Sequence, residues 1–174
     1  MSLLSIFQSV QDTDFFTAIR ESALTYPIIL TTHLACIAVF GGMIVITNLR
    51  LLGVAMRDRP VADVIQQLRP WKAIGFVIMV TCGILLGGSK AVEYYGNPYF
   101  WTKMTLLALI GVHALVFRGS VYKQAAQLDT LPVLPARVKA AACLSLVLWT
   151  GVLCFGRLIG YYEPPNKQRS AQIR

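Results

Sequence analysis

The chain has 174 residues, 56% of them hydrophobic and only 14% charged, and carries a net charge of +8. Soluble domains average about 25% charged residues; here residues 22–49, 73–89, 104–117 and 140–156 contain no Lys, Arg, Asp or Glu at all. This excludes a water-soluble globular domain. The cations sit between the apolar blocks, where membrane-orientation signals belong, so the basic balance points to no nucleic acid.

Residues 1–26 are the first predicted unit. Leu3, Leu4, Ile6, Phe7 and Val10 share one side of a short helix, and Asp12 or Thr13 can cap a second helix carrying Phe15, Phe16 and Ile19. Polar residues interrupt this stretch too often for it to span, which predicts an amphipathic segment lying on the membrane surface. Met1 to Phe7 lack a basic n-region and a small-residue cleavage site; the first spanning helix is therefore expected to act as the insertion signal.

A bilayer core of about 30 Å takes roughly 20 helical residues. The first spanning helix is predicted over 27–52, with Pro27 in its first turn. A basic loop with Arg57, Arg59 and Arg69 follows. The second helix is placed at 70–95, opening on Pro70-Trp71 and ending before the turn signal Gly96-Asn97-Pro98. The third, 98–117, starts with the aromatic belt Tyr99, Phe100 and Trp101, and reaches spanning length only if Lys103 lies inside it. The fourth, 137–162, is stopped by Pro164-Pro165 and leads into a mobile polar tail over 163–174. Open sheets leave unpaired edges in lipid, and the period-2 alternation of a membrane barrel is absent. The predicted fold class is thus all-α: an integral membrane four-helix bundle, up-down-up-down, with an N-terminal interfacial amphipathic segment.

We call the face that holds both termini side A. The two side-B connections and their flanks carry Arg50, Arg57, Arg59, Arg69, Lys72, Arg118, Lys123, Arg137 and Lys139, against Lys90 and Lys103 in the single side-A connection. The positive-inside rule then makes side B cytoplasmic and puts both termini outside, against the pull of Lys167, Arg169 and Arg174 in the tail. The four cysteines, Cys36, Cys82, Cys143 and Cys154, lie in apolar blocks without a CxxC pair and read as small packing residues. Gly83-xxx-Gly87 and Gly156-xxx-Gly160 read as close helix contacts.

Ionisable residues at membrane depth are functional candidates by default. His33 lies roughly 9 Å into the first helix and Lys103 roughly 8 Å into the third, both counted from side A at 1.5 Å per residue. Arg157 in the fourth helix and Lys90 in the second fall in the same layer, with Glu93 able to neutralise one cation. Two readings stand side by side: cations that snorkel to the headgroups, or a layer that holds an anionic, planar, largely apolar ligand. Haem fits the second, with imidazole as an axial ligand and cations for the propionates; a quinone or a porphyrin substrate also fits. His113, roughly 22 Å from side A, is too deep to share one haem with His33 and is expected to bond a fourth-helix neighbour such as Ser145. Phosphate loops, HExxH and GxSxG are absent, and two histidines cannot serve a two-haem bis-His cytochrome b. Cys36 and His33 lie one turn apart, but no Met-rich or Cys-rich set accompanies them for copper.

Thr32-His33-Leu34 through Asn48-Leu49-Arg50-Leu51-Leu52, then Leu68-Arg69-Pro70-Trp71, Lys103 and Gly111-xx-Ala114-xx-Phe117 resemble an uncharacterised bacterial family of four-helix membrane proteins, over roughly residues 25–162. That resemblance implies the bacterial inner membrane and brings no activity. More distantly, the layout is similar to HemJ-type protoporphyrinogen oxidases and to CopD-like membrane proteins. The HemJ likeness implies haem b and key roles for His33 and for Lys103 in Tyr99-Phe100-Trp101-Thr102-Lys103; His113 sits apparently one residue closer to the lysine than that family's later histidine, and Arg69 is comparable. The leading expectation is a membrane b-type haem protein moving electrons between a quinone or haem pool and a partner subunit. His33 would be the axial ligand to the iron, Lys103 the second ligand or a propionate partner, and Arg157 and Lys90 would hold propionates. A HemJ-like porphyrinogen oxidase, and a non-catalytic structural or assembly subunit of a membrane complex, are the alternatives.

Overall fold

The computed structural model describes residues 2–117, 119, 121 and 124–163. Arg118, Lys123 and the predicted tail from residue 164, with Lys167, Arg169 and Arg174, lie outside the described residues. Among the described residues there are eight α-helices and no strand: α1 (Leu3–Gln11), α2 (Asp14–Glu21), α3 (Thr25–Leu52), α4 (Val61–Ser89), α5 (Ala91–Tyr95), α6 (Pro98–Phe117), α7 (Ala125–Asp129) and α8 (Ala136–Leu158). A 3-10 turn, Ile159–Tyr161, prolongs α8.

Four helices are long and apolar enough to cross a membrane: α3, α4, α6, and α8 together with its 3-10 extension. With 28 and 29 residues, α3 and α4 exceed the minimum; the 20 residues of α6 just meet it. Their outward faces are apolar. Val39, Val77, Leu115 and Val147, one from each helix, are all more than half exposed, which water would penalise and lipid does not. Inside, α3 packs on α4 and on α8, and α6 packs on α8. All four meet around Met79, Trp149 and Val152, with Cys36, Ile37, Phe40 and Ile44 from α3 and Leu106, Leu107 and Ile110 from α6 closing the cluster. Phe40 meets the Trp149 ring edge-on, centroids 5.6 Å apart.

The second long helix begins at Val61, nine residues before the Pro70 start that the sequence suggests, so Pro70 lies inside α4 and the predicted loop over 53–69 is much shorter. An internal proline costs about 3 kcal/mol. Against that, the added turns bury Val61 and Ile65 in a second apolar cluster with Leu51, Val121, Ala125, Leu128, Val138 and Ala142, and full burial of one such aliphatic side chain contributes about 1.5–3 kcal/mol. The new N-terminus is also capped from a distance. The Asp129 carboxylate, at the end of α7, accepts from the backbone N–H of Val61 at 2.6 Å and of Ala62 at 2.9 Å, satisfying two donors that the first turn leaves open. The preceding helix stops at Gly53, whose φ of 73° only glycine adopts freely. There the N–H of Gly53 donates to the Arg50 carbonyl and that of Val54 to the Leu49 carbonyl, a Schellman closure.

At side A the helix predicted to run to residue 95 is broken at Lys90, and α5 follows as a separate short helix. The N-terminal helices supply the missing partners. The Gln11 side-chain oxygen accepts from the Val92 N–H at 2.9 Å, and Arg20 donates to the Ser89 carbonyl at 3.5 Å. Phe16 of α2 lies against Gly88, where a Cβ would come within 2.3 Å of its ring. The segment before residue 25 is thus docked on α4 and α5.

Replacing Asp129 by Ala should therefore lower stability by roughly 0.5–2 kcal/mol, the range for a lost N-cap. The check is the unfolding midpoint of the detergent-solubilised protein; an unchanged midpoint would mean that the carboxylate does not hold α4.

Candidate functional site

Two polar side chains in the side-A half of the helix assembly lie against glycines of the facing helices. His33 of α3 points at α4, and its Nδ1 lies 2.9 Å from the Met79 carbonyl oxygen. A carbonyl only accepts, so Nδ1 carries the proton, and a neutral ring then keeps its lone pair on Nε2. Met79 and Gly83 are four residues apart on α4, so the carbonyl faces the turn on which Gly83 sits. A Cβ on Gly83 would come within 3.3 Å of His33 Cε1. Glycine is what lets the ring reach the carbonyl.

Lys103 of α6 lies against α8 at ordinary contact distance: its Cε, Cδ and Nζ lie 3.7–3.8 Å from where a Cβ on Gly156 would stand. Lys103 forms no hydrogen bond or ion pair among the described residues. His33 and Lys103 each lie against a glycine of a facing helix. Of the two glycine pairs, Gly83 and Gly156 lie against these side chains, whereas no described neighbour comes within 4 Å of a Cβ on Gly87 or Gly160.

Lys90 and Arg157 turn elsewhere. Lys90 Nζ lies 3.5 Å from the Glu93 carboxylate and 5.3 Å from the centre of the Tyr26 ring. Arg157 is exposed, donates to the Tyr161 hydroxyl at 2.7 Å and rests over that ring. Beside them, Tyr94 stacks on Phe100 at 5.3 Å; burial first, and then the neighbouring Tyr26 hydroxyl, push its phenol above the usual range, so it stays neutral. Asn97 ties this end together, donating to the Ile159 carbonyl at 3.1 Å and accepting from the Tyr99 N–H at 3.0 Å.

His113 is bonded to α8, but not to Ser145. Its Nε2 lies 3.0 Å from the Ala141 carbonyl and its ring packs on Phe117. Ser145 is taken by Asn48 of α3, whose amide donates to the serine Oγ at 3.1 Å and to the Ile44 carbonyl at 2.9 Å. This is part of a second polar layer, nearer side B, that the sequence reading did not assemble. Thr47 and Asn48 are both buried; Thr47 donates to the Met43 carbonyl at 2.8 Å and accepts from Lys72 Nζ at 2.5 Å. Lys72, counted among the side-B orientation signals, is turned inward. The signal that could have found the layer is the polar pair Thr47-Asn48 inside an otherwise apolar block.

Among the described residues no three His, Cys, Asp or Glu side chains converge on a metal-sized site. All four cysteines are free thiols, Cys82 buried, Cys143 and Cys154 on the outer surface.

Four helices long and apolar enough to cross a bilayer, with outward aliphatic faces, are the build of an all-helical membrane protein. The chain belongs to a family of unknown function, DUF6644, which it matches over residues 12–162. That bears out the resemblance to an uncharacterised family; no curated protein and no solved structure matches, so the more distant HemJ-type and CopD-like likeness finds no support there.

The Asn48–Ser145 bond predicts a coupling. Asn48→Ala and Ser145→Ala should each destabilise the detergent-solubilised protein, and a double-mutant cycle should give an interaction energy of roughly 0.5–1.5 kcal/mol. Strict additivity would show that the two side chains do not meet.

Proposed function

We propose that this protein is a b-type haem carrier of the bacterial inner membrane, a four-helix up-down-up-down bundle with α1 and α2 at the outer surface and both termini periplasmic. One observation carries the cofactor: the His33 imidazole is held by a backbone carbonyl on Nδ1 with its Nε2 lone pair left over, the arrangement in which protein histidines serve as metal ligands. The donor set fits haem, which brings four nitrogens of its own and asks the protein for one or two more. The orientation rests on the cations of the side-B ends, among them Arg50, Arg57, Arg59, Arg137 and Lys139.

When bound, haem b supplies a one-electron couple. The chain's own part is positional. Met79 fixes the His33 tautomer and Gly83 leaves the ring its room. Lys103 offers either a positive charge to a propionate or, deprotonated, a second nitrogen to the iron. Lys90 and Arg157 would serve propionates only by leaving Glu93 and Tyr161, so we assign them a secondary part. Electrons would come from a quinone or from a partner subunit. An HemJ-like porphyrinogen oxidation would use the same two residues. A non-catalytic subunit is the reading favoured by α6, which has no buried residue and so presents much of its surface to lipid or to a neighbouring protein.

The visible spectrum of the detergent-purified protein, oxidised and then reduced with dithionite, is the test. A Soret band with sharpened α and β bands on reduction is expected. His33→Ala should remove most of that absorbance without loss of membrane insertion, and Gly83→Leu should weaken it by displacing the ring. A spectrum that stays flat after haem supplementation, or a haem-replete His33→Ala protein, would sink the proposal. Rescue of a strain lacking porphyrinogen oxidation would single out the oxidase. A colourless protein that co-purifies with fixed partners would single out the subunit.

A further inference from the structure

The side-B end holds a second feature, far along the helices from His33. Where α3 stops, α4 begins and α8 begins, the chain encloses an open recess of about 330 Å³. Three cations line it: Arg50 from the last turn of α3, Arg57 from the short connection, and Lys139 from the first turns of α8. None of the three makes an ion pair with a carboxylate among the described residues. The one acid in the wall, Asp129, has its two oxygens engaged by the Val61 and Ala62 N–H groups, so its charge is already directed at the start of α4. Arg50 and Arg57 are held in place through Nε, which donates to the Arg59 carbonyl in one case and to the Gly53 carbonyl in the other. That leaves the paired terminal nitrogens of each guanidinium for a ligand. The remaining wall is apolar, and Leu131 and Val133 are left strongly exposed beside it.

Like charges gathered round a concavity repel one another unless an anion joins them. Two guanidiniums and an ammonium suit phosphate, since Arg pairs with its oxygens in bidentate fashion. The position at the ends of three helices is headgroup level, and the exposed apolar rim suits an acyl chain rather than water. The geometry points to a specific binding site for the phosphate headgroup of an anionic phospholipid, gripped by Arg50, Arg57 and Lys139, with its chain over Leu131 and Val133.

Native mass spectrometry of the full-length protein, released from detergent with equal amounts of phosphatidylglycerol and phosphatidylcholine, tests this. The wild type should retain one phosphatidylglycerol at least tenfold in preference to phosphatidylcholine. Arg57→Gln together with Lys139→Gln should abolish the preference, whereas Arg69→Gln, a cation of the same membrane face outside the recess, should leave it intact. Should the double variant fail to fold, competition on the wild type decides: millimolar inorganic phosphate should leave the retained lipid in place. No headgroup preference in the wild type would overturn the site. So would equal loss in Arg69→Gln, which would mean diffuse charge attraction, or displacement by free phosphate, which would make the ligand a soluble anion.

Discussion

Inside a bilayer there is no water to take up an unused hydrogen bond, and this single constraint organises the molecule. Lys103 apart, the polar side chains that enter the helix assembly find partners on another helix or on the preceding turn of their own. Thr47 bonds back to Met43 and receives Lys72; Asn48 reaches Ile44 and Ser145; the two histidines each take a backbone carbonyl of a neighbouring helix. Helical carbonyls are already occupied within their own helix, but each oxygen has a second lone pair. The interhelical contacts use that spare capacity.

Glycine bears on one of these approaches. A Cβ on Gly83 would crowd the His33 ring at 3.3 Å, whereas the Lys103 stem lies at ordinary contact distance from where a Cβ on Gly156 would stand. Small residues in membrane helices commonly serve close backbone contact; here Gly83 and Gly156 face polar side chains. A ring whose Nδ1 is engaged by a fixed carbonyl keeps its lone pair on Nε2.

The two ends of the assembly are closed by different means. On side A, α1 and α2 patch the break at Lys90 with Gln11 and Arg20, and aromatic rings from α1, α5 and α6 gather around Phe7, Tyr95 and Trp101. On side B, Asp129 caps α4 and an apolar cluster draws α7 under the ends of α3 and α8.

By itself the sequence determined that the chain is helical, apolar and membrane-embedded, with four long helices close to where the charge-free blocks lie, because hydropathy and length act locally and survive any packing. It also singled out His33 and Lys103, since an ionisable residue in an apolar block stands out without a structure. Tertiary structure decided the rest. Pro70 reads as a helix start until the burial of Val61 and Ile65 and the reach of Asp129 across 68 residues outweigh it. Lys90 and Arg157 share a depth with His33, yet depth says nothing of direction round the helix, and each found a nearer partner. Lys72 looked like a flanking cation of side B and proved to be a half-buried donor to Thr47. Which atoms meet depends on helix rotation and on gaps between facing side chains, and neither is written in a one-dimensional pattern.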